Sequence, residues 1–174
     1  MWSFELDCFI KAISMFLIYN VIAINLFGIP NSLSVTYYHL NDKKPWLRWF
    51  FPAMMWFVAF CMMPAWIEIS SGSNFQFMSF LAAAGIMFVG AAPAFRSNKL
   101  EDTVHKVSAI SAAIFSILWI ILVTHYWWVL IIWFVILVIA AILTKTWKRA
   151  YVYWLEMVAF GATFTTVILH TIFG

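Results

Sequence analysis

The apolar positions of this chain fall into six long runs separated by short polar clusters: residues 7–27, 46–67, 75–95, 104–124, 126–144 and 151–172. Each run holds roughly 17 to 25 residues, the length a helix needs to cross about 30 Å of hydrocarbon. The runs are continuous; the ten-residue alternation of a membrane β-barrel is missing. The pattern predicts an all-α integral membrane bundle of six transmembrane helices, forming a single domain over residues 1–174. The first run follows acidic residues and lacks a small-residue cleavage site, so it reads as a span and not as a signal peptide.

Within the runs, residues spaced 3, 4, 7 and 11 apart share a helical face. On that basis the fourth span turns His105, Ser108, Ala112 and Ser116 inward, and the sixth turns Glu156, Ala159, Thr163, Thr166 and His170 inward. The third does the same with Gln76, Ser79, Ala83, Gly90 and Ala94, and the first with Asp7, Lys11, Ser14 and Asn25. Small and hydroxyl-bearing residues on such faces let helix backbones approach closely. The fifth span has no stripe of this kind, which predicts a peripheral position. Pro52, Pro64 and Pro93 predict kinks.

Composition supports the membrane assignment. The chain of 174 residues is 66% hydrophobic and 10% charged, where soluble domains carry about 25% charged residues. Its tryptophans gather near span ends (Trp2, Trp46, Trp49, Trp66, Trp127, Trp128, Trp147, Trp154), as an interfacial aromatic belt does. Cys8 and Cys61 are read as two apolar thiols and not as a disulfide.

The net charge of +3 records orientation. Lys43, Lys44 and Arg48 follow the first span; Arg96, Lys99 and Lys106 follow the third; Lys145, Lys148 and Arg149 follow the fifth. By the positive-inside rule these three loops face the cytoplasm and both termini lie outside. Lys11, the remaining cation, stands at i, i+4 from Asp7 and can pair with it. No nucleic-acid partner is implied; the partners expected are membrane lipids and a small-molecule or lipid ligand.

The longest polar interruption, "PNSLSVTYYHLNDKK" at 30–44, joins "FRSNKLEDTVHK" at 95–106 on the predicted cytoplasmic side. Glu101 and Asp102 stand four and three residues before His105, a spacing that sets one carboxylate against the imidazole or simply favours a helix start. Glu156 lies about 10 Å along its helix from Arg149. A carboxylate at that depth is costly unless it is paired, hydrated or protonated. The candidate ligand-binding set is therefore Ser34, Tyr37, Tyr38, His105 and Glu156, with His105 expected to meet Glu156 or Tyr38. The topology separates His39 and His105 from His125 and His170, which excludes a three-histidine zinc site within one chain. No metal, cofactor or catalytic residue is assigned, although Ser34, His105 and Glu156 are the residue types of a nucleophilic triad.

"NSLSVTYYHLNDKKPWLRWFF", "FLAAAGIMFVGAAPAF", "VHKVSAISAAIF" and "WLEMVAFGATF" resemble, in order and spacing, a broad family of small bacterial six-span proteins of unknown function. The matching positions are Ser32, Ser34, Tyr37, Tyr38, Pro93, His105 and Glu156. The turn after Pro93 is longer and more charged here. The resemblance implies a multi-pass protein of the bacterial inner membrane. That family bears an architectural likeness to ceramidase-like membrane hydrolases, whose paired His-x-x-x-His this chain lacks. The reading that results is non-enzymatic binding or transport of a lipid headgroup or small solute through a polar cavity on the cytoplasmic side. The alternatives are a ceramidase-like lipid hydrolase and an oligomeric transporter or channel.

Overall fold

Ser3 opens the first helix by accepting a hydrogen bond from the Leu6 amide, which satisfies one of the donors a helix start leaves free. From there the computed structural model describes residues 3–174, and every regular element among them is helical. The elements are α1 (Phe4–Phe27), α2 (Thr36–Lys43), α3 (Phe50–Ile69), α4 (Phe77–Ala91), α5 (Lys99–Trp119), α6 (Trp127–Leu143) and α7 (Trp147–Phe173). A 3-10 turn, Pro45–Trp49, leads into α3, and a π turn, Ile120–Thr124, extends α5.

Four stretches are long and apolar enough to cross a membrane: Phe4–Phe27, Pro45–Ile69, Lys99–Thr124 and Trp147–Phe173. The expected third and fifth spans are apolar helices of 15 and 17 residues. These rise about 22 and 26 Å, short of the roughly 30 Å hydrocarbon thickness. Turns at residues 73–76 and the non-helical Ala92, followed by Pro93, trim α4 at both ends.

Neighbours in sequence pack side by side, α1 on α3, α3 on α4 and α4 on α5, while α6 lies chiefly along α7. α7 returns to α1 through large side chains: Phe16 meets Phe160 and Phe164 at 4.5 and 5.4 Å between ring centroids, and Phe9 meets Phe164 at 6.2 Å. Against α5, α7 packs only sparsely. α6 is peripheral, as its lack of a polar stripe predicts; Val129, Leu137 and Ala141 are its buried residues.

The inward faces of α4, α5 and α7 follow the predicted stripes, but that of α1 does not. Asp7, Lys11, Ser14 and Asn25 are exposed, and α1 buries Phe9, Ala12, Phe16, Tyr19, Asn20 and Ala23 instead. Close packing on α3, together with the aromatic contacts to α7, buries that face, while three of the four polar residues bond within their own helix. Lys11 pairs with Asp7, and the Asn25 amide donates to the Val21 carbonyl at 2.8 Å.

The prolines divide by position. Pro52 is the third residue of α3, where no intrahelical bond is lost, Pro64 lies inside α3, and Pro93 follows the end of α4. Of the tryptophans expected in the interfacial belt, Trp66 and Trp154 are buried, at 1% and 8% exposure. Trp66 meets Trp119 edge-on, and Trp154 donates to the Thr146 hydroxyl at 2.9 Å. Trp2 lies outside the described residues. Cys8 and Cys61 are free thiols.

Candidate functional site

Gly28, at φ 70°, ends α1 and turns the chain back beneath α7. The stretch that follows is a folded plug: residues 32–37 are buried throughout. Its polar groups are spent largely within it and on its neighbours. The Ser32 and Ser34 hydroxyls meet at 3.0 Å, the Val35 amide donates to Ser32, and the Thr36 hydroxyl bonds the Leu33 carbonyl and the Tyr19 phenol.

α7 is shaped to receive this plug. Ala150 departs from helical geometry (φ −119°, ψ 29°), and the Tyr153 amide donates to the Asn31 carbonyl at 3.1 Å. The Arg149 guanidinium donates to the Ile29 carbonyl at 3.1 Å, and the Tyr153 hydroxyl to Asn20 Oδ1 at 3.2 Å. One turn further along, Glu156 Oε2 accepts the Leu33 amide at 2.7 Å. The depth of Glu156 thus has a structural reason, since its carboxylate fixes the tip of a loop whose amide has no helical partner.

His105 is placed by a separate latch. Its Nδ1 lies 3.0 Å from the Ala92 carbonyl, an acceptor only, so the proton resides on Nδ1. The ring stacks on Phe95 at 4.5 Å, and Phe95 meets Tyr38 edge-on at 5.2 Å. Tyr38 accepts the Arg96 amide at 2.6 Å and lies under the Arg96 guanidinium, while Tyr37 packs edge-on against it. Burial holds the Tyr38 phenol above its ordinary pKa, so it remains a neutral hydroxyl. The expected partners of His105, Glu156 or Tyr38, are thus replaced by Ala92 and Phe95.

The neighbouring acids are engaged elsewhere too. Asp102 pairs with Lys106 at 2.7 Å, and Glu101 bonds Asn98, whose side chain caps α5. Ser34, His105 and Glu156 do not assemble as a triad; each bonds a different group. Among the described residues no three His, Cys, Asp or Glu side chains are grouped as metal ligands.

Of the five candidate residues, Glu156 lines the cavity of about 240 Å³ enclosed by α3, α4, α5 and α7. Leu33 closes the same end, and the opposite end reaches Met62, Trp66 and Phe164. On α7 the lining runs from Val152 to Phe164, about 18 Å of helix. That volume spread along that length is a narrow slot. Its walls are almost wholly apolar, with Glu156, Ser116 and Thr163 as the polar side chains. It is unsealed between α5 and α7, where Ile110 and Leu155 line it yet are 60% and 51% exposed. Sequence periodicity marked the stripes but could not find the slot, because its existence depends on how loosely two remote helices meet.

Comparison with protein-family models, curated proteins and solved structures finds no match to this chain.

Proposed function

We propose that the chain is a non-enzymatic, six-span protein of the bacterial inner membrane that binds a membrane lipid by drawing part of an alkyl chain into the slot between α5 and α7. The observation that carries this reading is the slot itself: narrow, apolar, and open sideways on the face a bilayer would cover. Ligand pockets of about 300–1,000 Å³ enclose drug-sized molecules; a smaller, elongated slot suits a hydrocarbon tail whose remainder stays in the bilayer. The polar residues first expected to form the cavity support its frame, and Glu156 alone of them remains to meet a headgroup.

Two measurements test this. Protein purified in mild detergent is expected to retain about one lipid per chain, by quantitative lipid mass spectrometry. Ala113→Phe with Ala159→Phe, both on the slot wall, is expected to remove it while the protein stays folded; equal lipid in the filled variant would overturn the reading.

The six-span topology, with α4 and α6 crossing alongside the four longer stretches, draws support from the grouping of the basic loops. Arg96 bonds Tyr38, and Arg149 bonds Ile29, so the three basic loops meet at one end of the bundle. Ser3, Glu5, His170 and Thr171 line one crevice at the other. With Cys8 and Cys61 replaced, single cysteines at the exposed positions Asp42, Ser97 and Lys145 are expected to resist an impermeant thiol reagent in intact cells. One at Asn74, also exposed, is expected to label. Labelling of all four from outside would overturn the six-span topology, and labelling of the first three without Asn74 would reverse its orientation.

A further inference from the structure

Glu156 uses one carboxylate oxygen, Oε2, on the Leu33 amide. The other, Oε1, takes no hydrogen bond among the described residues, yet is not sealed from access, and the side chain lines the slot. Among the described residues no cation pairs with it. The ion pairs among the described residues are Lys11–Asp7 and Lys106–Asp102. The preceding cation on the same helix, Arg149, is about 10 Å away along the axis and donates to the Ile29 carbonyl. A carboxylate left unpaired at membrane depth is strongly unfavourable, and pairing with an opposite charge relieves it.

Resting on the lipid-binding reading above, we propose that the slot selects an amphiphile with a protonated amine, whose ammonium meets Glu156 Oε1 while its alkyl chain runs towards Trp66. The geometry suits this arrangement. Glu156 stands at the end of the slot nearest the basic loops, where a headgroup would sit, and the walls beyond it are apolar apart from the Ser116 and Thr163 hydroxyls. An ammonium supplies both the missing charge and a donor, and a charge-assisted bond to a carboxylate is about twice as strong as a neutral one. A carboxylic-acid headgroup at the same place would set like charges together, and an alcohol would supply a donor without charge.

Native mass spectrometry of the detergent-purified chain, titrated with dodecylamine, dodecanol and dodecanoic acid, tests the proposal. The amine is expected to bind about tenfold more tightly than the alcohol, and the acid most weakly. Glu156→Gln keeps a carbonyl acceptor for Leu33 and the shape of the slot, and is expected to bind amine and alcohol alike. Ala113→Phe with Ala159→Phe is expected to lose both. Equal affinity of the wild-type chain for all three probes, or an amine preference that persists in Glu156→Gln, would overturn the headgroup assignment and leave alkyl-chain binding standing. Failure of all three to bind would overturn both.

Discussion

Gly85→Ala is expected to destabilise the protein by about 1–3 kcal/mol, the usual penalty of forcing an extra methyl into a packed contact. A Cβ at Gly85 would lie 2.8 Å from the Ser108 carbonyl oxygen and the Ala112 nitrogen, and 2.9 Å from the Ala112 Cα. All three are backbone atoms of α5, so no side chain can rotate aside and the helices themselves must separate. The small residues of α4 and α5 therefore have a job in addition to filling space, which is to let two backbones touch. Van der Waals contact is a leading source of helix association once both partners are surrounded by lipid tails. Reversible unfolding in mixed micelles measures the effect, with the exposed Ser14→Ala as a control expected to fall within about 0.5 kcal/mol of wild type. A Gly85→Ala protein as stable as that control would show that α4 and α5 do not meet so closely.

Glu156→Leu is expected to cost a comparable amount, about 1–3 kcal/mol, because it leaves the Leu33 amide without its acceptor. Two effects oppose each other here. An apolar replacement relieves the penalty of holding a carboxylate at membrane depth, which on its own would make the substitution neutral or stabilising. The 2.7 Å bond to Leu33 decides against that outcome, since the orphaned donor sits in a buried loop that cannot turn to water. Glu156→Gln retains an acceptor and is expected to fall close to wild type in stability. Hydrogen exchange gives an independent readout: the Leu33 amide is expected to exchange faster in Glu156→Leu and at nearly the wild-type rate in Glu156→Gln. A stable Glu156→Leu protein with a protected Leu33 amide would mean that another group holds the loop.

Much of this protein is legible from its residues alone. Continuous apolar runs fix an all-helical, membrane-compatible chain, because only a helix satisfies its own backbone within one segment of hydrocarbon. Helical periodicity located the contact faces of α4, α5 and α7, since small and hydroxyl residues recur there at spacings that only one face collects. The peripheral place of α6 followed from the lack of such a stripe. Glu156 was singled out by depth, where a carboxylate needs a reason to be present.

The tertiary structure decided what each of those groups meets. Asp7, Lys11, Ser14 and Asn25 share a face by spacing, yet packing on α3 and aromatic partners on α7 turn a different face of α1 inward. His105 follows two acids closely, yet a carbonyl thirteen residues earlier and the Phe95 ring claim it. Tyr37, Tyr38 and Ser34 read as site residues because they are polar in an apolar chain, but their packing and hydrogen bonds hold the frame of a loop. The slot beside Glu156 has no signature in sequence at all. Local spacing determines which residues share a helix face, whereas a cavity is the space left where α5 and α7, brought together only by the fold, fail to close.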